Sequence, residues 1–240
     1  MCIRDSFKPA LGFTNRVDIK DLTADLGYTI RFESGNYYTI SGYLQEISSL
    51  DGSTHSNVHA IEQRYNKANN DRVWMRHKKT SEILNKPFKI YTPSSDPSSS
   101  IVISPGQYKF NTTRIGIGSA GFRKFATSFA FEYGDFYNGT IKEFWSRTYW
   151  RPSKKILFTL IHKISKIHLP QGSFSAQITG LETQIPLSNS LSLSSNIQYD
   201  DITENLGFNG RLHWIPEDGK NFFLSLSADN LIGVSGFFIS

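Results

Sequence analysis

The segment Ser190 to Asp200, SLSLSSNIQYD, alternates strictly and carries no charge before its last residue. Side chains on a strand point to opposite faces in turn. One face is therefore Leu191, Leu193, Ile197 and Tyr199, and the other is hydroxyls and amides. RKFATSFAFEY repeats the pattern, with Phe125, Thr127, Phe129, Phe131 and Tyr133 against Lys124, Ala126, Ser128, Ala130 and Glu132. In LGFNGRLHW the faces are Leu206, Phe208, Gly210, Leu212 and Trp214 against Gly207, Asn209, Arg211 and His213. Such segments build antiparallel sheets, and the apolar face must meet either a protein core or lipid.

Composition favours strands over helices. Hydrophobic residues are 38% and charged residues 20% of the chain, yet aromatics reach 14% with 18 Phe and 11 Tyr. A run of about 18 apolar residues, the mark of a transmembrane helix, is absent. A transmembrane β-barrel leaves no such run, because its spans are about ten alternating residues. Ten residues at about 3.3 Å, tilted by about 45°, cover roughly 23 Å, close to the apolar band of such barrels.

Turn chemistry recurs at Gly35, Asn69, Gly121, Pro152, Pro186 and Pro216, roughly 30 to 34 residues apart except for one gap of about 52. Each interval holds two strands and a connection. The expected architecture is all-β: an antiparallel up-and-down meander of about 12 strands, a transmembrane β-barrel that is partial or open. A second set of connections, near Gly52, from Leu84 to Gln107, near Asp135, near Pro170 and near Asp201, is expected to be longer. Short turns at one end and long loops at the other match an outer-membrane barrel. The wide gap holds a Pro- and Ser-rich insertion, Asn85 to Gln107, expected to be an extended loop.

On this reading Phe129, Phe131, Leu191, Leu193, Ile197 and Leu212 face lipid. Trp150 and Trp214, each just before a Pro-containing turn, form an interfacial girdle with Tyr199. Lys124, Glu132, Glu143, Arg147, Arg211 and His213 point into the lumen, as a water path or as a plug of ion pairs.

The search for a catalytic constellation is negative. His162 and His168 lie six apart without metal-ligand spacing, and read as loop or strand-end histidines. Ile115 to Gly121, IGIGSAG, lacks the strand-to-helix context of a phosphate loop and reads as a strand entering a short turn. The net charge of +5 is scattered, and its densest cluster, Arg76 to Thr80, reads as a solvated strand end, so nucleic acid is not an expected partner. One cysteine, Cys2, gives neither disulfides nor a metal site. The expectation is a non-enzyme without cofactor or metal.

MCIRDS at the start resembles translated adaptor sequence, so residues 1–7 are set apart and residues 8–240 are taken as one barrel domain, the C-terminal part of a longer protein. LIGVSGFFIS at the end is too short for a further crossing. The strands at Asp18 to Arg31 and Asn221 to Ala228 are therefore expected not to join.

The segments PALGFTNRVDIKDLTADLGY, ISPGQYKF, YGDFYNGT, WRPSKKI and the run from Ile167 to Leu224 resemble the barrel half of a bacterial family called domain of unknown function 5916. The resemblance covers about Lys8 to Leu226 and is densest from Tyr133 to Phe223. It implies a Gram-negative outer-membrane protein, with outer-membrane lipid and lipopolysaccharide as partners. Full-length members carry an N-terminal domain similar to family 9 carbohydrate-binding modules, which has no counterpart here. The function expected is anchoring that domain, with passage or import of a polar solute such as a glycan. The alternatives are a soluble β-barrel that binds a ligand, or a surface adhesin acting through the loop from Leu84 to Gln107.

Overall fold

The computed structural model describes residues 2–4, 19–50, 52–93, 97–229 and 236–239. Twelve long strands form one antiparallel meander. In chain order the strands are β1 (Cys2–Arg4), β2 (Ile19–Arg31), β3 (Tyr37–Ser49), β4 (Thr54–Asn66), β5 (Arg72–Leu84), β6 (Phe88–Tyr91), β7 (Ile101–Ile103), β8 (Gly106–Gly118), β9 (Phe125–Phe136), β10 (Gly139–Ser153), β11 (Ile156–Leu169), β12 (Gly172–Pro186), β13 (Leu191–Asp200), β14 (Asn205–Trp214), β15 (Phe222–Asp229) and β16 (Gly236–Ile239). Every strand of the main sheet pairs with its neighbour in sequence except β5, which pairs with β8 across the β6–β7 insertion. The short β1 and β16 lie on the two edges, paired with β2 and β15.

The sheet is open. Among the described residues no ladder joins β2 to β15, as the short terminal piece LIGVSGFFIS led us to expect. Of the terminal piece LIGVSGFFIS, residues 231–235 and 240 lie outside the described residues, and Gly236–Ile239 extend β15. Likewise, of residues 1–7, only Cys2–Arg4 are described, and they pair with Ile19–Asp21.

The expected contrast between the two ends is not found. The strands run through Asp135 and up to Leu169, so those two connections shrink to residues 137–138 and 170–171. Tyr137 takes a positive φ of 50°, which lets two residues reverse the chain. The polar composition there suggests loops, but a strand with one polar face tolerates it.

The segment from Leu84 to Gln107 is not an extended loop either. It folds back as the β6–β7 hairpin with a short 3-10 turn at Pro97–Ser99. Apolar residues at Ile101 and Ile103, opposite Phe88 and Tyr91, give it a buried side. Ile103 is wholly buried, and with Ile101 it packs onto Ile167 and Leu169 of β11. Tyr91 stacks on Phe174 at 4.6 Å between ring centres, and Phe88 lies beside Tyr137. This is the main buried apolar cluster among the described residues, and it sits at one end of the sheet.

Candidate functional site: a polar sheet face backed by an exposed apolar one

Register decides which residues share a face. From β9, Phe125, Phe129, Phe131 and Tyr133 lie exposed on one face, while Ala126, Ser128 and Ala130 on the other are buried. The same division continues through the paired residues. Leu22, Leu26, Tyr28 and Ile30 of β2, Ile40 and Leu44 of β3, Val73 and Met75 of β5, Ile115 and Ile117 of β8 and Leu224 of β15 are all exposed on the apolar face. Leu26 is 81% exposed and Phe125 61%, whereas Ser128 is 4% and Glu143 9%. Burial is thus the reverse of a water-soluble sheet: polar side chains are covered and large apolar ones are not.

The apolar belt runs obliquely. On β2 it centres on Leu26, whose row of paired residues continues through Gly42, Ile61, His77, Thr113 and Tyr133 to Lys142 and Lys166. On β14 it centres on Gly210, between Phe208 and Leu212, and that row leads back through Ser195, Thr183, Phe158 and Trp150 to Phe125. The belt therefore slips by about eight residues, at about 3.3 Å each, over about ten strand spacings of about 4.8 Å, an inclination of about 30°. Closed barrels tilt their strands by about 35–45°.

Over the polar face, side chains from next-nearest strands meet, as happens where a sheet curls toward that face. Glu132 lies 3.6 Å from Lys78 and 3.7 Å from Arg114. Glu143 lies 2.9 Å from Lys163 and 3.9 Å from Arg114, and accepts a hydrogen bond from Ser165 at 3.0 Å. These groups line a hollow of about 460 Å³, bordered at one end by Phe110, Phe136 and Ile167 beneath the hairpin. Arg147 pairs with Glu182 at 3.7 Å, and among the described residues its Nε has no hydrogen-bond partner.

Beside it lies a second hollow, of about 580 Å³, with Arg64, Arg72, Arg76 and Arg114 in its wall and Glu62 as its carboxylate. Trp74 and Trp145 give it aromatic sides. A third, of about 690 Å³, is built mainly of amides and carboxylates: Asn196, Gln198, Asp200, Asn205, Asn209 and Asp229. Among the described residues no group of three or more His, Cys, Asp or Glu side chains could hold a metal. No helix there is long and apolar enough to cross a membrane.

Glu132, Glu143, Arg147, Arg211 and His213 all lie on the polar face, Arg211 with its guanidinium 4.1 Å from the Phe223 ring centre and His213 stacked on the same ring. His213 also shares a 2.9 Å hydrogen bond with Asn221. Lys124 is not on a strand. It ends the connection before β9, where its carbonyl accepts from Arg151 N. Phe129, Phe131, Leu191, Leu193, Ile197 and Leu212 lie on the apolar face. So do Trp150 and Trp214, at one end of the sheet, against Phe158 and Phe222. Tyr199 is at the opposite end, beside the connection at 201–204. His162 is not at a strand end but in mid-β11, on the apolar face, held by a 2.9 Å hydrogen bond with Thr179.

The arginine-rich hollow escaped the sequence reading. Arg76 to Thr80 is not a strand end: Arg76 and Lys78 point to the polar face, with His77 and Lys79 behind. The available signal was parity, since Glu62, Arg64 and Asn66, then Arg72, Trp74, Arg76 and Lys78, all occupy even positions of adjoining strands.

Fold and faces together define an open antiparallel meander whose polar side is its buried side. Comparison with family models, with curated proteins and with solved structures returned no match.

Proposed function

We propose that this chain is the wall of a non-enzymatic transmembrane β-barrel of a bacterial outer membrane, with the apolar face against lipid and lipopolysaccharide and the polar face lining a water-filled passage. The observation that carries this reading is the reversed burial of the two faces. Exposed Ile117, Phe129 and Phe144 stand on the far side of the same strands that bury Thr112, Ser128 and Glu143. The oblique course of the belt adds support, because a flat bilayer crosses tilted strands on a slant.

In this reading the β6–β7 hairpin narrows the passage at one end and is not a free adhesive loop, since Ile101 and Ile103 are buried over the polar face. The sequence resemblance supports a further role, holding a carbohydrate-binding-like domain at the envelope and admitting a polar solute. The test is expression in a Gram-negative host, followed by membrane fractionation and electrophoresis with and without boiling. Recovery in the outer-membrane fraction with heat-modifiable mobility is expected. Recovery in the aqueous fraction as a folded monomer overturns the reading.

A further inference from the structure

We infer that the hollow around Arg72 binds an oxyanion, a carboxylate or phosphate carried on a small polar solute. Its wall brings four guanidiniums, Arg64, Arg72, Arg76 and Arg114, to one place with Glu62 as the carboxylate of that wall, Arg114 also facing Glu132 and Glu143 of the neighbouring hollow at 3.7 and 3.9 Å. Glu62 is already committed, to Arg64 on one oxygen and to Arg76 on the other at 2.6 Å. Arg72 is different. Among the described residues it has no carboxylate partner, and its polar contact is a hydrogen bond to Ser128 Oγ at 3.1 Å.

A second, independent observation points the same way. Asn66 is 5% exposed and lines this hollow, yet among the described residues its Nδ2 has no hydrogen-bond partner. A buried N–H left unpaired is costly, and an incoming acceptor relieves it. Donors without acceptors are what an oxyanion requires, and guanidinium forks match its geometry.

The arginines are also held in place. Arg64 and Arg72 lie over the Trp74 ring at 5.9 and 5.7 Å, and Arg114 lies over Trp145 at 5.6 Å. Because guanidiniums already cover those aromatic faces, the rings are not free platforms for a neutral sugar. Recognition falls to charge and hydrogen-bond donors. The inference deepens the proposed passage by naming the class of solute, and it rests on that reading only in requiring water to reach the polar face.

The test uses the full chain carrying Trp150→Phe and Trp214→Phe, refolded in detergent micelles, so that Trp74 and Trp145 report alone. At constant ionic strength, galacturonate, inorganic phosphate and galactose are each titrated against tryptophan emission. A saturable response to either oxyanion and none to galactose is expected. Arg72→Gln should weaken that binding at least tenfold and Asn66→Ala at least threefold, while Lys163→Met, in the neighbouring hollow, leaves it unchanged. If Arg72→Gln does not refold, Arg72→Lys replaces it. Keeping the charge but losing the fork, it should still weaken binding severalfold.

Equal responses to galactose and galacturonate overturn the inference, as does an equal loss in Lys163→Met, which marks a diffuse field and no site. Unchanged binding in Arg72→Lys and Asn66→Ala overturns it too. Insertion into lipid vesicles is measured separately on the same protein: binding without insertion sinks the membrane reading alone, and insertion without binding sinks this inference alone.

Discussion

Trp74 lies flat against Gly116, its direct partner across β5 and β8: a Cβ built on that glycine would come within 2.2 Å of the indole Cζ2. The glycine is what lets the ring settle on bare backbone and carry Arg64 and Arg72 above it. Gly116→Ala is therefore expected to push the ring outward and cost about 1–3 kcal/mol, the usual range for overpacking. Urea unfolding in detergent checks the stability, and a shift in Trp74 emission checks the displacement.

The two faces of β13 should differ in what they tolerate. Leu193 is on the apolar face opposite Leu212, and Leu193→Arg should cost about 2–4 kcal/mol in a bilayer near its midplane. The matched control is Asn196→Arg, on the polar face opposite Asn209, expected to fold as the parent does. Ser194 is a poorer control, because it faces Arg211 and would set two cations side by side. Equal folding yields in lipid vesicles for Leu193→Arg and Asn196→Arg would sink the lipid assignment.

Tryptophan depth separates the faces by a different measurement. Trp150 and Trp214 should be quenched by lipids brominated close to the headgroups, whereas Trp74 and Trp145 should respond to iodide in the water. Single-tryptophan variants make the four signals separable. Strong quenching of Trp74 by brominated lipid would mean that the polar face is not the wet one.

How much of this was legible beforehand varies with the kind of information needed. The faces of β9, β13 and β14 follow from local alternation, and the count of twelve long strands follows from turn chemistry at positions such as Gly35 and Pro216. What alternation cannot supply is register. Only the pairing of Glu62 with Arg76, and of Arg76 with Arg114, shows that charges from separate strands share a hollow. The insertion was misjudged for a related reason: Pro and Ser content describes its backbone, while its fold is decided by Ile101 and Ile103 finding Ile167 and Leu169, far away in sequence.

That packing gives a prediction for the hairpin. Ile103→Asp places a charge in a wholly buried site and should free β6 and β7 from the sheet while the long strands persist. Limited proteolysis is expected to cut within residues 88–103, and β-sheet circular dichroism to stay constant. Resistance equal to the parent would show that Ile103 does not hold the hairpin down.

Asp71, in the connection after β4, joins that turn to the next short one: it accepts from Arg123 at 2.9 Å and from Ala120 N at 2.9 Å. The Arg123 hydrogen bond foremost, with the Ala120 N–H, holds its carboxyl below the ordinary value near 3.8. A carboxyl lowered in the folded state stabilises at neutral pH, and that contribution disappears as pH falls through the lowered folded value. Hydrogen exchange at residues 119–124 should accordingly quicken below about pH 4 relative to its intrinsic rate. In Asp71→Asn the exchange should be fast throughout and lose that dependence.

The slant of the apolar belt makes register a cumulative quantity. Each hairpin inherits its height along the sheet from all the pairings before it, so a slip of two residues between any two strands, about 6.6 Å, would lift everything beyond the fault out of step with the rest of the belt. A slip at an edge misplaces one strand, whereas the same slip between β8 and β9 misplaces half of the sheet. The aromatic and glycine contacts concentrated on those central strands, Trp74 on Gly116 and Gly134 against the Asn111 carbonyl, lie where an error in alignment would do the most damage.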